Sequence, residues 1–384
     1  MKVAIVHEML IKLGGAEKVV EKLVKMFPDA NIFTLIYDEK KVGHIFPRKN
    51  PVTGKTIRSP FWTQWIYDMT GKQRLCLPFM PGAIESFNFS KYDLILVSSS
   101  AFAHGIITKP TAKTIVYYHS PARYLWDWTN EYKRDIGADK GIKAYFLNKL
   151  FLKLRIWDVM ASERADIVVA NSENVAKRIQ KYYRQKAKVI YPPVELMRFR
   201  EEKDTSNLEL EYGIKAKWYY IIVATLTEFK KIEIAIDACK KTGDTLIIVW
   251  EGKYRYKLEE RSEKKENIMF LGSKFWDELV TLVQWAKGMI FPGEEDFGIV
   301  PIEALASGVP VFAYGKWGLL ETVKEDVTGN FFYESDGRDF IKYFDTFKKN
   351  IKEWVFKKSI LQKSVEKYDE QIFEEELQKL IMEK

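Results

Sequence analysis

Short runs that are apolar at almost every position recur along the whole chain and limit what it can fold into. In the first half they are KVAIVH (2–7), NIFTLIY (31–37), YDLILVSS (92–99), KTIVYYH (113–119), ADIVVAN (165–171) and AKVIYPP (187–193). In the second half they are WYYIIVAT (218–225), DTLIIVW (244–250), NIMFLG (267–272), GMIFP (288–292) and VPVFAY (309–314). A strand with one wet face alternates apolar and polar residues, whereas a run without alternation needs cover on both faces. A parallel sheet flanked by helices provides that cover. Helical patterns lie between the runs, among them GAEKVVEKLVKMF (15–27), SENVAKRIQKYY (172–183), IEIAIDACKKT (232–242) and FWDELVTLVQWA (275–286). Strand–helix repetition in both halves predicts an α/β chain of two Rossmann-like, doubly wound domains. We place the first at 1–195, with Pro192 and Pro193 stiffening its exit, the second at 196–365, and a C-terminal helix at 366–384 packing back toward the first domain.

The chain has 384 residues, enough for two such domains. Apolar residues make up 47% and charged residues 30%, an ordinary globular balance. Cys76 and Cys239 stand far apart and imply neither a disulfide framework nor a CxxC metal site, which fits a reducing, cytoplasmic compartment. The start, MKVAIVHEML, is interrupted by charge too early for a signal peptide, and the longest uncharged run, LILVSSSAFAHGIIT (94–108), is too short and polar to span a bilayer. Residues 1–195 carry 31 Lys and Arg against 18 Asp and Glu, a net +13, while residues 196–384 carry a net −5. A basic first half suits an anionic partner such as a membrane surface or a phosphorylated lipid. Nucleic acid explains the charge but not the motifs below.

Open α/β folds bind ligands beyond the C-terminal ends of their strands, so the residues there carry the chemistry. After the first strand, Gly14 and Gly15 in LGGAEK (13–18) allow backbone to approach a ligand, and the helix that follows offers N–H groups to an anion. His119 and Arg123 follow the fourth run, in HSPAR. Lys230 and Lys231 lie between a strand and its helix, within reach of a phosphate. From EEDFGIVPIEAL (294–305) onward, Pro301 looks like the first residue of a helix and Gly308 suits its stop, so Gly298, Ile299 and Val300 present amides where a phosphate would sit, behind the apolar turn at Phe297. Glu303 lies in that first turn by this reading. A carboxylate beside rather than on the phosphate matches two adjacent hydroxyls, such as those of a ribose, and Glu295 would meet a second hydroxylated group. The competing account makes Glu303 a helix-start charge and Glu295 a solvated one.

The pair Glu295 and Glu303, with seven residues between them in EEDFGIVPIEALASGVPVFAYGKWGLLETV, resembles the signature of family 4 glycosyltransferases, which have the GT-B fold and retain anomeric configuration. The likeness extends to HEMLIKLGGAEKV, YYHSPARYLWD, VVANSENVAKRI, VIYPPVE, FKKIEIAIDA and TGNFF in order. The opening and YYHSPARYLWD look most like mannosyltransferases of O-antigen and surface-polysaccharide assembly. The resemblance implies that Glu303 holds the ribose, Glu295 the donor sugar near its reacting carbon, and Gly298, Ile299 and Val300 the diphosphate or sugar. It implies that Lys230 neutralises the leaving diphosphate, that Gly14 and Gly15 approach the sugar diphosphate, that His119 touches the donor sugar, and that Glu321 is the Glu the family often keeps in GLLETV. One position departs: Thr225 stands where the family usually has an Arg, so a diphosphate cation is missing, and Lys231 or Lys253 would have to replace it.

The expected reaction is metal-independent, with no cofactor beyond a nucleotide-diphosphate sugar; GDP-mannose is the donor the branch implies. The acceptor expected is a lipid-diphosphate-linked sugar or a polysaccharide. TIRSPFWTQWIYDMTGKQRLCLPFMPGAI (56–84) with Trp62 and Trp65, and KGIKAYFLNKLFLKLRIW (140–157) with Lys149 and Lys153, mix basic and aromatic residues as a helix lying on an anionic bilayer does. Peripheral attachment to the inner face of the cell membrane follows. The rival readings are a GT-B epimerase or phosphorylase, and a non-catalytic nucleotide-sugar sensor, for which Thr225 speaks.

Overall fold

The computed structural model describes residues 1–203, 212–274 and 276–383, and separates into two compact units, Met1–Tyr191 and Pro192–Lys384. Phe275, the first residue of the expected helix 275–286, part of the expected domain 196–365, and Lys384 lie outside the described residues.

The first unit is built on strands β1 (Val3–Leu10), β2 (Asn31–Tyr37), β3 (Ile57–Arg58), β4 (Leu94–Ser99), β5 (Lys113–Tyr118), β6 (Ile167–Ala170) and β7 (Lys188–Val189). They form one sheet in the order β3-β2-β1-β4-β5-β6-β7, parallel throughout. All six residues of β4 are buried, as an unalternating run demands. The helix Gly15–Met26 turns Val19, Val20 and Leu23 inward. Before the helix Glu173–Tyr182, Ser172 Oγ accepts the N–H of Val175 at 3.1 Å and caps the helix.

The second unit carries β8 (Tyr219–Val223), β9 (Thr245–Val249), β10 (Ile268–Gly272), β11 (Gly288–Phe291), β12 (Val311–Tyr314) and β13 (Gly329–Phe332), in the order β10-β9-β8-β11-β12-β13 and again all parallel. Its core is aromatic: the rings of Phe312 and Phe347 stack at 5.4 Å, and Tyr220 meets Phe344 edge-on at 4.8 Å. The C-terminal helix Glu370–Met382 groups with this unit, its first N–H donating to the Val194 carbonyl at 3.2 Å.

In each sheet the strand order reverses at one place, between β1 and β4 and between β8 and β11. Connections leave these neighbours in opposite directions, which opens a crevice at their C-terminal ends. In the first unit the loop there is fixed by Glu8, which is 4% exposed and whose carboxylate accepts the backbone N–H groups of Ser100, Ala101, Phe102 and Ala103. Glu8→Ala would leave buried amides unpartnered and is expected to lower stability by about 3 kcal/mol, read as an earlier urea transition.

Candidate active site

At the β8/β11 crevice two loops touch through their main chains. A Cβ at Gly293 would stand 2.8 Å from Lys230 Cα and 3.0 Å from its carbonyl oxygen, so only glycine permits the approach. That contact brings the Lys230 ammonium and the Glu295 carboxylate into an ion pair, with side chains 13% and 32% exposed. The ammonium also lies 5.2 Å from the Phe291 ring centroid and 5.5 Å from that of Phe229.

Beyond Glu295 the chain turns at Gly298, whose φ of 89° favours glycine, and the helix Ile299–Ala306 begins. It starts earlier than the sequence suggested. Pro301 is its third residue, where a missing N–H is still harmless because first-turn amides have no intrahelical acceptor. Glu303 therefore falls beyond the first turn instead of within it, and is buried, at 4% exposure. Ile299 and Val300 are half-buried, and the residue at the cap position, Gly298, has no side chain to cap the helix. Gly308 ends the segment at φ 76°, as expected.

The loop Glu295–Phe297 is pinned from behind. The Gly318 N–H donates to the Glu295 carbonyl at 3.0 Å, and a Cβ on Gly318 would collide with the Asp296 carbonyl at 2.1 Å. Phe297 is buried and meets Tyr368 edge-on at 5.4 Å, while the Tyr368 hydroxyl donates to the Glu321 carbonyl at 2.9 Å. Glu321 is thus half-buried in a short helix, Leu319–Thr322, attached to the same framework.

Thr225 is exposed. Neither lysine considered as a substitute cation joins Lys230 and Glu295 in the ion pair. Lys231, left-handed at φ 51°, donates from Nζ to the Ser335 carbonyl at 3.0 Å, and Lys253 is exposed on the loop after β9. That loop is sewn to the one after β8: Leu226 N–H donates to Glu251 O and Tyr254 N–H to Leu226 O, each at 3.0 Å.

At the β1/β4 crevice, Gly14 is the extended residue before the helix and Gly15 its exposed first residue. A Cβ on Gly14 would meet Glu17 Oε2 at 3.0 Å. His119 follows β5 directly, its Nε2 2.7 Å from Ser98 Oγ. Ser98 Oγ in turn lies 3.0 Å from His7 Nδ1, and His7 Nε2 is 3.5 Å from Glu17 Oε1. His7, Glu8, Glu17 and Ser98 escaped the sequence reading, although a His and a Glu side by side inside an apolar strand were a visible signal.

Arg123 is half-buried, its guanidinium 4.4 Å over the Trp128 ring. Elsewhere on the first unit Trp62 and Trp65 are 65% and 49% exposed on the helix Phe61–Thr70. Lys149 and Lys153 are exposed on the helix Gly141–Ser162. Of the apolar residues in that run, Phe151 and Leu154 face the unit's own core while Phe146 is exposed, as are Ile142, Tyr145, Leu152, Ile156 and Met160 on the same helix. Among the described residues no cluster of His, Cys, Asp or Glu could hold a metal, and no helix is long and apolar enough to cross a membrane.

Residues 13–198 match the family described as Glycosyltransferase Family 4, and residues 207–358 that of glycosyl transferases group 1. The chain is a family 4 glycosyltransferase. This glycosyltransferase is 24% identical over 285 residues to the alpha-1,3/1,6-mannosyltransferase ALG2 of Dictyostelium discoideum, covering 63% of the chain and 64% of that protein. It is 28% identical over 173 residues to the O-antigen chain mannosyltransferase RfbU of Salmonella typhimurium, covering 43% and 46%. The matched part thus spans between about half and two thirds of these relatives' length. Among solved structures, Anabaena HepE in complex with UDP superposes with a TM-score of 0.72 at 17% identity, over 99% of each chain. The lipopolysaccharide glycosyltransferase WaaG does so with 0.65 at 14%, over the whole of both. These likenesses establish the GT-B fold of the enzyme.

Gly318→Ala is expected to destabilise the glycosyltransferase by about 1–3 kcal/mol by overpacking and to displace the Glu295 loop. A lowered melting temperature together with weaker transfer would be the readout.

Proposed function

We propose that the enzyme moves a hexose, mannose in our reading, from a nucleoside-diphosphate sugar to a hydroxyl of a lipid-diphosphate-linked or polysaccharide acceptor, with retention at the anomeric carbon. The observation that carries this is the Lys230–Glu295 ion pair at the β8/β11 crevice, with the buried carboxylate of Glu303 in the helix that begins after Gly298. The mannosyltransferase names of the Dictyostelium and Salmonella relatives support the sugar, and the UDP bound to HepE supports a nucleotide donor. GDP-mannose is the donor we favour.

In this reading the bound diphosphate takes Lys230, and the backbone amides of Gly298, Ile299 and Val300 point to the diphosphate or sugar, aided by the helix dipole. Glu303 accepts from the ribose hydroxyls and Glu295, released from Lys230, from the sugar. His119 touches the sugar from the first unit, where Gly14 and Gly15 let main chain come close, and Glu321 and Phe297 support the donor loop. The bond from the anomeric carbon to the phosphate oxygen breaks as the acceptor oxygen bonds on the same face, and the departing phosphate oxygen takes the acceptor's proton. Charge on the leaving group rests on Lys230, amides and dipole. With Thr225 in place of an arginine, Lys230 carries the diphosphate without a second cation from that position, and we expect modest donor affinity.

The first unit supplies the acceptor side. The net +13 of residues 1–195, the exposed Trp62 and Trp65, Lys149 and Lys153, and the exposed apolar residues of Gly141–Ser162 suit the cytoplasmic face of an anionic membrane. Arg123 stands near His119 in sequence and would serve the acceptor. Residues 1–195 would then form the acceptor and membrane domain, 196–365 the donor domain, and 366–384 a helix returning toward the first.

Three outcomes are expected. Separate Glu295→Gln and Glu303→Gln variants should lose about 10- to 100-fold in transfer, and near-normal turnover in both would sink the assignment. In a thermal-shift panel of nucleotide sugars, GDP-mannose should raise the melting temperature most. Binding to vesicles containing anionic lipid at low salt should fall when Trp62 and Trp65 become Ser; no vesicle binding by the unaltered protein would refute the membrane role.

A further inference from the structure

We infer that Glu17, His7 and Ser98 form a buried hydrogen-bond chain that decides which ring nitrogen of His119 carries the proton, making these three the positioning residues for that histidine. The chain crosses three neighbouring strands at the β1/β4 crevice. His7 of β1 lies opposite Ser98 of β4, and Ser98 lies opposite Tyr117 of β5, two residues before His119 and therefore on the same face.

The members are sealed from water: His7 is 2% exposed, Ser98 0% and Glu17 6%. Their polar atoms must therefore satisfy one another. Burial pushes the Glu17 carboxyl up, but the hydrogen bond from His7 and the charges of His7 and Lys12 outweigh it and hold the group below its ordinary value. An ionised Glu17 only accepts, so His7 Nε2, 3.5 Å away, carries a hydrogen. On the other side His7 Nδ1 lies 3.0 Å from Ser98 Oγ and 3.3 Å from the Ser98 carbonyl oxygen. A carbonyl also only accepts. His7 thus faces acceptors at both nitrogens and donates from both. Ser98 Oγ, accepting from His7, has one hydrogen left, and it points along the 2.7 Å contact to His119 Nε2. That nitrogen is then bare, and the proton of His119 sits on Nδ1.

The charged groups around His7 divide cleanly. Glu17 and, behind it, Lys12 act from the helix Gly15–Met26 and the turn before it. Glu8, next to His7 in β1, turns to the opposite face and binds the amides of Ser100–Ala103. The Tyr117 ring stands edge-on to His119 at 5.3 Å. Neutralising Glu17 removes the reason for the second proton on His7. Nδ1 then accepts from Ser98, Ser98 accepts from His119 Nε2, and the whole chain reverses. The consequence for transfer rests on the proposed role of His119 at the sugar, where a donating Nδ1–H would bind an oxygen; the proton arrangement itself does not rest on it.

The chain has four histidines, few enough to resolve in imidazole ¹H–¹⁵N spectra at neutral pH, with His119→Gln assigning the signal. The expected result is a protonated Nδ1 and bare Nε2 on His119, and protons on both nitrogens of His7. Glu17→Gln and Ser98→Ala should each move His119 toward Nε2–H, and if one fails to fold the other still reads the chain. Nε2–H on His119 in the unaltered protein, or one unchanged tautomer in all three proteins, overturns the inference. For the donor role, Glu17→Gln should lower kcat by about tenfold or more while donor KM changes little. A tautomer switch without loss of kcat would keep the chain and remove His119 from the reaction. A change in melting temperature with unaltered ring shifts would mark a merely structural role.

Discussion

The second unit is organised around the place where Gly293 lies against the backbone of Lys230. Apart from the edge strand β10 its strands are buried on both faces, so ligands reach them only at their ends, and the reversal between β8 and β11 makes one end accessible. The close approach there puts a cation from one loop on a carboxylate from the other. Further loops brace the pair: Gly318 holds the Glu295 carbonyl, and the loop after β9 is sewn to the one after β8. Little of this tolerates a side chain in place of hydrogen, since Cβ atoms at Gly252, Gly293 and Gly318 would all stand within 2.8 Å of main chain.

An ion pair in this setting gives modest stability, because desolvation of two charges offsets much of their attraction. Its value in the proposed mechanism is as a placeholder. A diphosphate offers Lys230 more negative charge than one carboxylate can, and its arrival frees Glu295 for hydroxyls of the sugar that the diphosphate carries. Donor binding and assembly of the sugar site then become one event. Thr225 fits this economy of charge: with no arginine at that position, exchange of partners on Lys230 is the main electrostatic change available.

Strand cores were legible in the sequence because burial on both faces leaves an unbroken apolar run. β3, Ile57–Arg58 at an edge, and β13, Gly329–Phe332, were not, since Arg58 in the one and Gly329 and Asn330 in the other break the apolar run. The helix at Ile299 was legible but misplaced by two residues, because proline fits anywhere in a first turn. The carboxylate pair was found from its spacing, and its pairing with Lys230 was not, since contact between loops 65 residues apart is invisible in order alone. The chain from Glu17 to His119 was missed for the same reason: it runs across strands. On the helix Gly141–Ser162 the apolar residues were recognised, but burial divides them between core and solvent in a way that periodicity did not reveal.

The exchange on Lys230 can be measured directly by calorimetric titration of a nucleoside diphosphate that carries no sugar into the unaltered enzyme, Glu295→Gln and Lys230→Met. If the carboxylate occupies the cation until diphosphate arrives, Glu295→Gln should bind the diphosphate at least as tightly as the unaltered enzyme while transferring poorly, and Lys230→Met should bind it about tenfold or more weakly. Equal affinity in all three proteins would contradict the account.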